Sequence, residues 1–128
     1  MDRQLVSTGT IWEERVGYSR AVRVGQHVFV AGTLAIDDDG NLVGLDDADA
    51  QASFIFQKIG RALEAAGSSL ADVVRTRMFV IDFAHEQAVG RAHGRVFKDI
   101  RPAATMVGTS GLAHKDALVE IEAEAVIR

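Results

Sequence analysis

Val22, Val24, Val28 and Val30 all fall on even positions, and only Gly25-Gln26 interrupts them. Alternation of period two is the mark of a strand, so this stretch predicts a hairpin of two short strands. Upstream, residues 1–16 alternate loosely around Ile11-Trp12, which predicts an opening strand and a turn at Gly17. Asp37-Asp38-Asp39-Gly40-Asn41 reads as a solvated turn. A calcium loop needs further ligand positions and a closing glutamate, which this segment lacks.

From Asp46 the period changes. Ala48, Ala52, Ile55, Phe56, Ile59, Ala62, Leu63 and Ala66 recur at steps of three and four, the spacing of an amphipathic helix. Asp46, Asp47 and Asp49 stand at its start, where carboxylates cap free N–H groups and oppose the dipole, and Gly67 supplies the stop. A short turn over 70–72 leads into a strand over 73–81, rich in β-branched and aromatic residues. A second helix over about 85–97 carries Val89, Ala92 and Val96 on one stripe, and Pro102 prevents its continuation. Residues 103–107 can be extended. Over 118–127, Val119, Ile121, Ala123 and Ala125 face one way and Glu120, Glu122 and Glu124 the other. The succession strand–strand–helix–strand–helix–strand–strand predicts an α+β fold, one sheet with two helices packed on one face. With no repeat or linker in view, residues 1–128 are expected to form one domain.

Composition narrows the function. The chain is 48% hydrophobic and 25% charged, enough for a packed core, with a net charge of −4. A general nucleic-acid or anionic-membrane binder needs a basic face, so neither partner is expected. There is no cysteine, which excludes disulfides, thiolate nucleophiles and cysteine-based metal sites. The first residues lack a signal peptide's pattern, and the most apolar stretch, 28–36, is too short to span a bilayer, so a cytoplasmic protein is expected.

Familiar catalytic motifs are missing. Gly108-Thr109-Ser110-Gly111-Leu112 departs from a nucleophile elbow, because leucine stands where its second glycine belongs. No phosphate loop or dinucleotide fingerprint occurs, and no cofactor is expected. His85 and His93 lie two turns apart on one predicted helix, too far to chelate a single ion as an i, i+4 pair does, so no metal site is assigned. What remains is the row Glu120, Glu122, Glu124, with carboxylates about 6–7 Å apart on one strand face. On a solvated face they are surface charges. On a dry interface one of them would have a raised pKa and could serve as a general acid or base.

Three segments together resemble the Rid (RidA/YjgF/YER057c) family over about residues 17–127. One is Gly17-Tyr18-Ser19-Arg20-Ala21-Val22 running into Gly25-Gln26-His27-Val28-Phe29-Val30-Ala31-Gly32. Another is the long helix followed by Ala65-Ala66-Gly67-Ser68-Ser69-Leu70-Ala71-Asp72-Val73-Val74, and the third is Arg101-Pro102-Ala103-Ala104-Thr105 with Val119-Glu120-Ile121-Glu122-Ala123. The resemblance implies a chorismate-mutase-like fold and a homotrimer with small-molecule clefts between subunits. It also implies hydrolysis of reactive enamines and imines such as 2-aminoacrylate to a keto acid and ammonia.

Carried over position by position, the resemblance makes Tyr18 and Glu120 the catalytic pair. Gly32, Thr33, Gly90, Ala104 and Thr105 then line the substrate side, and His93 on the second helix is a further candidate there, with an exposed helix histidine as the alternative reading. Three positions depart from the deaminating members: Ala104 replaces the arginine that grips the substrate carboxylate, Gly90 an asparagine, and Thr33 a glutamine. Loss of a charged contact weakens carboxylate binding by about 1.5–3 kcal/mol. Arg20, Arg77 or Arg91 is left as a possible replacement from another element or subunit. The leading expectation is a hydrolase of an enamine, imine or related C–N bond in a substrate less acidic than 2-aminoacrylate. The alternative is a catalytically silent trimer that binds a small ligand in the same clefts.

Overall fold

The final strand, with its strict alternation, is the centre of the structure. The computed structural model describes residues 2–128. Its elements in chain order are β1 (Arg3–Val6), α1 (Ile11–Val16), β2 (Ala21–Val24), β3 (His27–Thr33), α2 (Ala48–Ala65), β4 (Val73–Val80), α3 (Glu86–Phe97), β5 (Ala103–Gly108) and β6 (Val119–Val126). Short 3₁₀ turns occupy Leu70–Asp72 and Phe83–His85. The six strands form one sheet in the order β1-β2-β3-β6-β4-β5. Only β4 and β5 run parallel, so the sheet is mixed.

Because β6 pairs with β3 on one side and β4 on the other, its side-chain alternation propagates across the sheet. Val119, Ile121, Ala123 and Ala125 are buried, and their partners Val80, Met78 and Thr76 on β4 are buried with them. The helix α2 lies over this face and packs Ile55, Phe56, Ile59 and Leu63 into the core. α3 packs against α2, contributing Val89, Ala92 and Phe97. Phe56 meets the Phe97 ring edge-on at 5.4 Å between centroids and the His93 ring at 5.7 Å. Arg95 on α3 pairs with Asp49 in the first turn of α2 and ties the two helices at their exposed side.

The opposite face carries no long helix. Glu120, Glu122 and Glu124 stand on it beside Phe79, Arg77 and Arg75, and β3 adds Phe29 opposite Glu124. Further out, Thr105 and Val107 of β5 pair with Arg77 and Phe79, and Val22 and Leu5 continue the face toward β1. Leu5, Phe29 and Val107 are exposed there.

The structure differs from the sequence reading at the N-terminal end. The opening strand is Arg3–Val6, and Ile11-Trp12 begin a helix instead of continuing an extended segment. Thr10 accepts from the Glu13 N–H, while the Glu13 carboxylate accepts from Thr10 Oγ1 and from the Thr8 N–H and hydroxyl. This reciprocal capping fixes the first turn more firmly than loose alternation favours a strand. Three helices therefore accompany the sheet, not two, and Gly17 closes α1 at φ +85. The other elements form within a residue or two of their expected limits.

Candidate functional site

The row of glutamates divides because of what the strand register puts beside each of them. Arg77 lies between Glu122 and Glu124 and donates to both, at 3.2 and 3.0 Å. The partner of Glu120 on β4 is Phe79, which offers no charge. Burial pushes the Glu120 carboxyl above the ordinary carboxylate range; the Arg20 charge opposes that shift and the neighbouring Glu122 adds to it.

On its other side Glu120 rests on Gly32 at the end of β3. A Cβ at position 32 would lie 2.9 Å from Glu120 Oε2, so the glycine provides the space that the carboxylate fills. The carbonyl of Gly32 also accepts a 2.6 Å hydrogen bond from Arg20 Nη2. The Arg20 guanidinium carbon lies 5.8 Å from the Tyr18 ring centroid, over the ring. Tyr18, Arg20, Gly32 and Glu120 thus form one group at the β3–β6 end of the open face. Beside it an open depression of about 510 Å³ is lined by Tyr18, Ser19, Val22, Phe29 and Ala31, with Glu13 of α1 at its rim. Burial tends to raise the Glu13 carboxyl, but hydrogen bonds from Thr8, Ser7 and Thr10 outweigh it and hold the group below its usual range. Glu13 is thereby committed to capping α1.

The remaining sequence-derived candidates lie elsewhere on the chain. Thr33 is buried, pairs with Ile121 on the helix-covered face and donates its hydroxyl to the Ala31 carbonyl. His93 also lies on the helix side: its Nε2 is 2.8 Å from Thr76 Oγ1, its ring touches Phe56 and Phe97, and burial lowers its pKa. Ala104 pairs with Thr76 and so shares that side, at the β5 edge. Gly90 is exposed one turn before His93 on α3, and a Cβ there would meet nothing within 4 Å. Thr105 stands on the open face beside Arg77. Within one chain, then, Tyr18, Gly32 and Glu120 come together, whereas His93 and Ala104 sit across the sheet from them.

One further residue has no signature in the sequence. Lys58 of α2 is half-buried and donates to the Leu34 carbonyl at 3.1 Å; burial lowers its pKa, and the Arg20 charge lowers it further. In the helical pattern it occupies an ordinary polar position, and only the turn of the chain after β3 brings it near Arg20.

Known proteins show the same organisation. Residues 11–127 match the family described as Endoribonuclease L-PSP. An uncharacterised protein of Streptomyces coelicolor is 37% identical over 120 residues, covering 94% of this chain and 89% of its own. A RutC family protein of Pyrococcus abyssi is 34% identical over 108 residues, 84% of each chain. A crystal structure from Mycobacterium tuberculosis, described as a member of the YjgF/YER057c/UK114 family, superposes with a TM-score of 0.89 at 44% identity, covering 98% of this chain and all of that one. The match in sequence over nearly the whole chain, together with the mixed sheet and its helices, shows that this protein belongs to the YjgF/YER057c/UK114 family, also called the Rid family.

Proposed function

We propose that this protein hydrolyses the C–N bond of a small enamine or imine other than 2-aminoacrylate, with Glu120 as the acid/base and Tyr18 as a wall of the site. The observation that carries the reading is Glu120 itself. It is the one carboxylate of the row without an arginine beside it in the register, it is half-buried, and its pKa is raised. Imine hydrolysis needs a base to take a proton from water as the oxygen attacks the C=N carbon. The same group must then deliver a proton to the departing nitrogen, leaving a carbonyl compound and ammonia. A carboxyl tuned upward toward neutrality is suited to both transfers. Ala104 offers no guanidinium for a carboxylate, which argues against 2-aminoacrylate as the preferred substrate.

The working unit in this proposal is a cytoplasmic homotrimer of one-domain chains with its clefts between subunits. Two features support it. Leu5, Phe29 and Val107 leave apolar area in water across one whole sheet face, which a second copy would cover. Gly90, His93 and Ala104 lie away from Glu120 within a chain, so only a neighbouring copy can bring such residues to it. A nuclease reading fits poorly, because the net charge is −4 and the open face carries the three glutamates.

The test is ammonia release from a varied panel of freshly generated imines. The wild-type protein should accelerate it and Glu120→Gln should not; absence of acceleration across the panel would sink the proposal. Saturable stabilisation by small metabolites without product would instead favour the silent binding trimer. Gly32→Ala gives an independent check. Its methyl would displace the flexible Glu120 carboxylate, so turnover should fall on the order of tenfold or more while the melting temperature changes little.

A further inference from the structure

Arg20 is the unexplained cation of this site. Among the described residues no carboxylate lies within 4.0 Å of it, whereas Arg61, Arg95 and Arg128 each have one and Arg77 has two. Its Nη2 holds the Gly32 carbonyl, its Nε is shut away from solvent, and among the described residues neither Nε nor Nη1 has an acceptor. Lys58, the next cation, is equally without a carboxylate within 4.0 Å among the described residues. Two half-buried positive charges thus act on each other at the end of β3, and the Arg20 charge also acts on Glu120.

We propose that Arg20 is the anion-binding residue of the cleft, and that it takes a substrate carboxylate on its free Nη1, beside Glu120 and over Tyr18. The inference rests on the reading of the Glu120 group as the substrate site, and it names the substrate class as an imine or enamine that bears a carboxylate. The cation absent at position 104 is then supplied from the β2 side. The carboxylate enters from the β2–β3 end of the open face, so the substrate lies in a different pose from one gripped at the β5 edge. Nη1, with two N–H groups and no acceptor of its own, faces the incoming carboxylate, and the Gly32 carbonyl and Tyr18 ring restrict the side chain's motion before the anion arrives.

The test is calorimetric titration of the assembled protein with 2-oxobutyrate, a keto acid of the product class, and with its uncharged methyl ester. Wild type should bind the acid saturably, Arg20→Gln should weaken that at least tenfold, and Arg20→Lys should fall between. The ester should bind both variants as it binds wild type. An affinity of Arg20→Gln for the acid within twofold of wild type overturns the proposal, as does a wild-type protein that the acid fails to saturate. Equal weakening of acid and ester would assign Arg20 to clamping Gly32 alone, and would also overturn it. Binding is read without turnover. An inactive protein that binds the acid through Arg20 would therefore contradict the hydrolase reading and leave the anion site standing.

Discussion

Glu120→Gln is expected to lower turnover by at least about a hundredfold, the usual contribution of a positioned acid or base, without lowering the melting temperature at neutral pH. The two halves of this result have one cause. Burial raises the Glu120 pKa above its ordinary value of 4.5, so the folded state holds that proton more tightly than the unfolded chain. Between 4.5 and the raised folded value the native protein binds more protons, and stability therefore falls as pH rises through that window. At neutral pH the charged carboxylate is a liability that glutamine removes. A site residue whose loss abolishes activity and leaves stability equal or improved is a functional group held at a structural cost. The rate should also fall in acid along a limb lying above the range of an ordinary glutamate, since the base must be ionised to activate water. Arg20→Gln should move that limb further up, because the Arg20 charge lowers the Glu120 pKa. Stopped assays across pH, paired with thermal melts of the same samples, measure both effects.

Phe56→Ala is expected to destabilise the fold by about 3–5 kcal/mol, the range for removing a large buried aromatic. Phe56 is 1% exposed and is the hub of the interface between α2, α3 and the sheet, touching the rings of both His93 and Phe97. Its loss leaves a cavity bordered by His93, whose hydrogen bond to Thr76 restrains the ring from moving to fill the gap. A denaturant titration should show the midpoint falling steeply with little change in slope. A loss below about 1 kcal/mol would mean that α3 can slide inward, and that the packing described is softer than its geometry indicates.

Much of this fold was legible because burial imposes a period on the chain. The step from the period of two over Val22, Val24, Val28 and Val30 to the three- and four-residue spacing of Ile55, Phe56, Ile59 and Leu63 marks the passage from sheet to helix, and both elements formed where expected; the hairpin register, with Val24 opposite His27, puts Val28 and Val30 in the core and Val22 and Val24 on the open face. The alternation of 119–125 against Glu120, Glu122 and Glu124 correctly separated a buried face from a polar one. The N-terminal segment failed as a period argument because Ile11, Trp12 and Val16 are exposed, so no core pattern governs them. The signal present was local, Thr10 three residues before Glu13, and it predicts a capped helix start.

The site was legible in part. Tyr18, Gly32 and Glu120 can be named from the sequence through the family resemblance, and their grouping in space depends on the β3–β6 register. That Glu120 differs from Glu122 and Glu124 was not readable. The difference lies in Phe79 facing one and Arg77 bridging the others, which follows from strand pairing rather than from any motif. Arg20 was one arginine among several, and Lys58 was invisible, because neither spacing nor composition records which cations lack a counter-ion.

A single chain provides Tyr18, Arg20, Gly32 and Glu120 on an uncovered sheet face and keeps His93 and Ala104 on the other side. The proposal therefore depends on a second copy closing the depression. Sedimentation of the purified protein at micromolar concentration measures this most directly. The account predicts one species of three times the 13.8 kDa chain mass. A monodisperse species at the mass of a single chain would contradict it.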